Sequence, residues 1–282
     1  MFLESAILCL FVVLKTSCGG LLTNDTTYDD GEYFEVGNHL AYGRSSRSPW
    51  NYGSPPLYFD WRDRDMVGPV KNQGQCNACW AFAIAANIEC QLAIYLNEKE
   101  QLSEQFLMDC LPGDAGCGPY SMLKAYSYIT SVIGGVVRDT EYPHYMERPS
   151  NCSWSRPPPI PRPVTGFRRV ACDEKKMVMD LFAYGPLSAA INPATMNKYH
   201  GHYIDEPTEE QCSSDSSQMT HAVLIVGYNV YMDPNGPSTR TVPYWIIKNS
   251  WGDTWGDNGY YYLVRGRNAC GIANDVSLAF VD

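Results

Sequence analysis

The sequence predicts an α+β protein built from two segregated halves with a cleft between them. Three observations carry this. From Leu57 onward the chain is dense and globular, and its first half carries helix-spaced apolar residues. The second half carries short apolar runs of strand length. A proline-rich run, Arg156-Pro157-Pro158-Pro159-Ile160-Pro161-Arg162-Pro163, marks the crossing, read as a rigid linker in preference to a proline-rich ligand.

Residues 1–18 read as a secretory signal peptide. Residues 6–14 are apolar without interruption, too few to span a bilayer, and small residues follow. Glu4, and no Lys or Arg before the apolar run, leaves an uncleaved signal anchor as the other reading. Residues 19–56 are polar and acidic, with two Arg against five acids and a sequon at Asn24-Asp25-Thr26. They read equally as a short pro-segment or a disordered arm.

In the dense region, residues 79–96 contain no Gly or Pro and predict a long helix. Ser103 with Glu104 opens a second, reaching residue 108. Residues 120–132 predict a third. Asp173 N-caps a fourth, which Gly185-Pro186 ends. Strands are expected at 187–191, 221–228, 244–248, 259–264 and 276–281, and 231–242 reads as an extended surface hairpin.

Hydrophobic residues make up 45% and charged residues 18%, so there is ample material for a core. The net charge is 21 − 31 = −10, which argues against a nucleic-acid partner. Eleven cysteines are too many for an ordinary cytosolic enzyme. Removing Cys9 and Cys18 with the signal leaves nine, read as four disulfides and one thiol, a nucleophile candidate.

Three runs carry chemistry. The first is Gln73-Gly74-Gln75-Cys76-Asn77-Ala78-Cys79-Trp80-Ala81-Phe82. Cys76-x-x-Cys79 lacks the second ligand pair that zinc needs and the βαβ context of a redox motif. What remains is a thiol at a helix N-terminus, where the dipole favours thiolate. Such a nucleophile needs an imidazole and a group to orient it. His39 lies in the arm, and His144, His200 and His202 sit in polar, loop-like surroundings. His221 opens an apolar run, His221-Ala222-Val223-Leu224-Ile225-Val226-Gly227-Tyr228. The third run, Tyr244-Trp245-Ile246-Ile247-Lys248-Asn249-Ser250-Trp251-Gly252, ends with Asn beside Trp. Asn can fix an imidazole tautomer, and Trp can keep water from that hydrogen bond.

These runs, in this order, resemble the papain-like cysteine peptidases, specifically the cathepsin L-like group, over residues 57–282. Phe59-Asp60-Trp61-Arg62, Val70-Lys71-Asn72-Gln73-Gly74-Gln75-Cys76, Trp255-Gly256, Gly259-Tyr260 and Cys270-Gly271-Ile272-Ala273 extend the likeness. The resemblance implies a papain-like two-domain fold, with a helical half, a β-barrel-like half and the active-site cleft between them. It implies Cys79 as nucleophile, His221 as acid/base, Asn249 as orienter, Gln73 as oxyanion donor and Trp251 as cover of the His–Asn pair. It implies bridges Cys76–Cys117, Cys110–Cys152 and Cys212–Cys270. Cys90 and Cys172 have no common counterpart and are expected as a fourth bridge.

Counting from Cys270, the resemblance puts the floor of the specificity pocket at Asp275, with walls at Met122, Ala190, Met219 and Ala222. A solvent-facing Asp275 is the other reading. The chain also departs from the pattern. Pro119 and Tyr120 replace a usual Gly-Gly pair, which removes a backbone donor and adds bulk at the cleft edge. Asn77 and Ala78 replace Gly-Ser, so Asn77 is expected to take up a glycine's backbone. The long helical pro-domain pattern is missing.

No His-bearing occluding loop and no insert between Gln73 and Cys79 are present, which implies an open cleft and endopeptidase action. The implied partners are peptide or protein substrates and protein inhibitors, with no cofactor, metal, nucleic acid or membrane, in a monomer that is secreted or lysosomal. Two rivals stay open: a non-proteolytic paralogue plugged by Tyr120, and a thiol acyl transferase.

Overall fold

The computed structural model describes residues 54–113, 115–154, 162–232 and 240–281. The signal peptide and nearly all of the acidic arm, His39 included, lie outside them, as does most of the proline-rich run.

The described chain opens with a two-residue strand, β1 (Phe59–Asp60). Helix α1 spans Cys79–Leu96, the length expected from its lack of Gly and Pro. It is long and apolar enough to cross a membrane, but 83% of it is buried inside the protein. A helix apolar on every face is a core helix. α2 (Glu104–Cys110) is capped by Ser103, whose Oγ accepts from Phe106 N at 3.1 Å.

α3 covers only Met122–Tyr128, shorter than expected, and continues as a widened turn over Ile129–Ile133. Thr130 and Ser131 hydroxyls donate back to the Tyr126 and Ser127 carbonyls there and compete with regular helix bonding. β2 (Gly135–Val136) then pairs with β3 (Arg162–Pro163).

The second half begins with β4 (Gly166–Arg169) and α4 (Glu174–Tyr184). Asp173 Oδ1 accepts from Lys175 N at 2.8 Å at the head of α4, and Gly185 ends it. The remaining strands are β5 (Leu187–Ile191), β6 (His221–Met232), β7 (Thr241–Lys248), β8 (Tyr260–Val264) and β9 (Val276–Phe280). They form an antiparallel sheet in the order β4-β9-β5-β6-β7-β8, with β1 on β6. β6 and β7 run further than expected, up to the 231–242 hairpin, whose residues 233–239 lie outside the described ones. β1 crosses β6 at a bulge beside Gly227, where a Cβ would sit 2.7 Å from the Phe59 carbonyl oxygen. The absent side chain permits that approach.

Each half has its own apolar cluster. One gathers on α1, α2 and α3, the other inside the sheet and under α4. Asn87 of α1 joins them. Its Nδ2 donates to Pro186 O at 2.7 Å, and its Oδ1 accepts from Tyr126 Oη and from Ala279 N. A buried amide satisfied from three segments fixes how the halves meet.

Three bridges form as the resemblance implied: Cys76–Cys117, Cys110–Cys152 and Cys212–Cys270. The fourth expected bridge does not. Cys90 is a free thiol buried with Leu224, Val226 and Ile246, where burial pushes it up to about 12. Cys172 is exposed, with its Sγ against Asn274 O. A core thiol of α1 and an exposed sulfur at the head of α4 have no shared surface on which to pair. Cys79, expected as the odd thiol, is disulfide-bonded here, as is Cys172.

Candidate active site

Cys79 is the first residue of α1, and Ala78 before it offers no capping oxygen. A reduced sulfur there stands at the positive end of the helix dipole. Asn77, expected to take up a glycine's backbone, has no positive φ.

His221 is the first residue of β6 and lies opposite Ile191 of β5. Asn249 follows the last residue of β7. The ladder between β6 and β7, which pairs Leu224 with Lys248, brings the two side chains together. His221 Nε2 and Asn249 Oδ1 are 2.7 Å apart, and both residues are buried. Trp251 lies over the imidazole with centroids 4.8 Å apart, and Trp255 packs edge-on against Trp251. Burial pushes the His221 imidazole down to about 4, and the hydrogen bond to Asn249 opposes that. Alone in this setting the ring is neutral at pH 7.

Gln73 comes from the helical half yet meets the same residues. Its N–H donates to Ser250 O at 2.8 Å, and Asn72 bridges to Trp251. Its Oε1 accepts from Ser250 Oγ at 2.7 Å, and its Nε2 donates to Cys76 O at 2.9 Å. Ser250 N donates to Asn249 Oδ1 at 2.9 Å. Ser250 therefore ties the Gln73 amide to the His–Asn pair. In the sequence, only its place beside Asn249 marks Ser250.

Lys71, two residues before Gln73, was missed in the same way. Its Nζ donates to Glu89 Oε1 at 2.8 Å on α1, to Glu104 Oε1 at 2.7 Å on α2, and to Leu102 O. Two buried carboxylates hold the ammonium well above its usual range. Burial raises Glu104 to about 7 against the pull of Lys71.

The expected pocket residues Met122, Ala190, Met219 and Ala222 are all buried in the helical half's cluster, and Ala190 and Ala222 are cross-strand partners. Asp275 is 9% exposed, so it does not turn to solvent. Its carbonyl accepts from Ala190 N at 2.9 Å, while its Oδ1 has no hydrogen-bond partner among the described residues. Burial raises its carboxyl, opposed by Arg169. Tyr120 is half-buried, its ring 4.9 Å from that of Trp80. His144, His200 and His202 are exposed, as expected. Among the described residues no group of His, Cys, Asp and Glu could hold a metal ion.

Comparisons with known proteins agree with this architecture. Cathepsin F of Drosophila melanogaster is 39% identical over 82% of this chain and 36% of its own length. The viral cathepsin of Lymantria dispar multicapsid nuclear polyhedrosis virus is 40% identical over 79% of this chain and 58% of its own. The chain thus spans less than two thirds of the length of these relatives. Among solved structures, the bromelain protease from Ananas comosus in complex with the E64 inhibitor superposes with a TM-score of 0.68. It is 32% identical and covers 80% of this chain and 100% of its own. The profile of the papain family cysteine proteases matches residues 55–280, and the chain belongs to that family.

Proposed function

We propose that the protein is a cysteine endopeptidase that hydrolyses peptide bonds through a thioester on reduced Cys79. The observation that carries this is the buried His221–Asn249 pair under Trp251, joined through Ser250 to Gln73. The thiolate of Cys79 attacks the peptide carbonyl carbon. The Gln73 Nε2 and the Cys79 N–H stabilise the oxyanion. His221 is neutral by itself in this apolar setting, and the thiolate charge holds it as imidazolium. It gives its proton to the leaving amine as the C–N bond breaks. Neutral again, it takes a proton from water, which attacks the thioester and releases the acid and the thiol. Asn249 keeps Nε2 engaged, so that Nδ1 serves the reaction.

Asp275 and the four apolar walls form the pocket for the second residue before the cut. It accepts Leu, Val or Phe, and Arg or Lys through the carboxylate. Three bridges among the described residues suit an oxidising compartment, and the chain travels the secretory route to a secreted or lysosomal location.

The test is to reduce the protein, treat it with an irreversible thiol-directed peptide electrophile and map the adduct by mass spectrometry. The expected result is one adduct on Cys79 and loss of peptide hydrolysis. Hydrolysis that persists after full modification of Cys79 would overturn the proposal.

A further inference from the structure

We propose that Tyr145 and Glu147 are positioning residues for the oxyanion hole, holding the Gln73 turn from outside; this rests on the reading of Gln73 as an oxyanion donor. The turn Gln73-Gly74-Gln75-Cys76 lies outside the ladders of the sheet, so each of its polar groups needs an individual partner. Gln73 N–H donates to Ser250 O, and Gly74 N–H to Asn72 Oδ1. The next two attachments go to one segment 72 positions further along the chain. Tyr145 Oη donates to Gln73 O at 2.8 Å, and Gln75 N–H donates to Glu147 Oε2 at 3.0 Å. They bracket Gly74, which has φ +57°, and a Cβ on Gly74 would overlap the Glu147 carboxyl group. The carboxylate lies directly on the turn.

Glu147 itself has φ +56°, a conformation that a glutamate adopts only where its surroundings impose it. Those surroundings are visible. Met146 N donates to Gln105 Oε1 at 2.9 Å, Gln105 Nε2 donates to Arg148 O at 2.9 Å, and Ser150 N donates to Asp109 Oδ1. The segment is thus fastened to α2. Tyr145 also sets its ring edge-on against Phe82, 5.0 Å away on α1, one turn beyond Cys79. One side chain therefore touches both the helix that carries the Cys79 N–H and the carbonyl of the residue that carries the second donor. Burial and the Glu147 charge raise the Tyr145 phenol, so it stays a donor at any working pH.

An oxyanion hole acts on the transition state, so a loosened donor lowers kcat and leaves KM nearly unchanged. Losing a donor costs about a hundred- to a thousandfold. Loosening one is expected to cost about three- to thirtyfold. The test uses the full chain after reduction and compares Tyr145→Phe, Glu147→Ala and Glu147→Gln, each also in a Gln73→Ala background. Three quantities are read: kcat, KM, and the rate at which iodoacetamide alkylates Cys79, a reaction that forms no oxyanion.

Tyr145→Phe and Glu147→Ala are expected to lower kcat by that factor, with KM and alkylation within about twofold. Glu147→Gln keeps an acceptor and should stay near wild type. In the Gln73→Ala background the effect of Tyr145→Phe should vanish, because both act through one amide. Unchanged kcat in Tyr145→Phe and Glu147→Ala, an equal loss in alkylation, or effects that multiply with Gln73→Ala would each overturn the proposal. A wild-type kcat in Gln73→Ala alone would remove the oxyanion reading itself, a separate failure. If Tyr145→Phe does not fold, Glu147→Ala, at an exposed position, decides the matter.

Discussion

The two halves hold their shares of the site by different means. His221 and Asn249 sit at the ends of neighbouring strands, and the β5-β6-β7 ladders fix where they lie. Gln73 belongs to a loop with no such ladder. It is held by separate attachments: Lys71 on two carboxylates, Cys76 on Cys117, Ser250 on the amide itself. A ladder spreads positional control over many hydrogen bonds, each worth about 1 kcal/mol. A loop concentrates it in a few contacts, and each of those becomes consequential.

The largest effects should come from the reacting groups, whichever half holds them. Cys79→Ala should abolish peptide hydrolysis, and His221→Ala should come close to that, since in the proposed mechanism His221 moves protons in both half-reactions. Asn249→Ala should cost less, because in that mechanism Asn249 orients the ring and exchanges no proton. Steady-state kinetics on one peptide substrate ranks the three. Equal defects for His221→Ala and Asn249→Ala would break the assignment of roles.

The disulfides sharpen the comparison between the halves. Cys76–Cys117 closes 41 residues and Cys212–Cys270 closes 58. Chain entropy assigns each about 4 kcal/mol of stability. Replacing either pair by Ala should therefore lower the denaturation midpoint by a similar amount. Only loss of Cys76–Cys117 should also lower kcat of the molecules that remain folded, because Cys76 carries the carbonyl that holds the Gln73 Nε2. Loss of kcat on a small substrate in the Cys212/Cys270 variant would show that the ladder alone does not hold the sheet half.

The same contrast explains what the sequence made legible. α1 was readable to the residue because eighteen residues without Gly or Pro, with apolar ones at helical spacing, have few alternatives. The strands were readable by run length. The two-residue β1 and the arginine-bearing β4 were not, since their pairing depends on partners more than a hundred residues away. Cys79, His221, Asn249 and Gln73 were named from three runs and the family they resemble. The contacts that join Gln73 to Asn249 through Ser250, and Lys71 to Glu89 and Glu104, are tertiary and leave no periodic trace. Cys90 was misassigned for the same reason: pairing arithmetic sees that a cysteine exists but not that it is buried.

Pocket selectivity is expected to be a smaller effect. Asp275 is buried beside Ala190 with one carboxylate oxygen unsatisfied among the described residues. A charge-assisted hydrogen bond contributes roughly 1.5–3 kcal/mol, or about ten- to a hundredfold. Asp275→Ala should lower cleavage of substrates with Arg two residues before the cut by that factor and spare those with Leu. Burial raises the Asp275 carboxyl, so on acidification it protonates before an ordinary aspartate does. The Arg preference should therefore fade as pH falls, beginning above the usual carboxylate range. An Arg/Leu ratio that stays within about twofold between wild type and Asp275→Ala would remove Asp275 from the pocket floor.

The smallest expected effect lies at Tyr120, which the resemblance puts at the cleft edge of the helical half in place of a usual glycine. Tyr120→Gly should raise kcat/KM on extended peptides by a few-fold, because a glycine lets substrate backbone approach. Three terms bound the gain. Pro119 stays without an N–H, so no lost donor is restored. The Tyr120 ring contact with Trp80, worth about 0.5–1.5 kcal/mol, is forfeited. The new glycine adds roughly 0.5–1 kcal/mol of backbone entropy cost. Stability should therefore fall by about 1–2.5 kcal/mol while activity per folded molecule rises. Tyr120→Ala separates the terms: it opens the edge without the full backbone cost, and should match the gain in kcat/KM with a smaller loss of stability. If both variants fold yet cleave extended peptides less well than wild type, Tyr120 is a wall the substrate rests on. The helical half would then be shaping specificity with the very residue expected to block it.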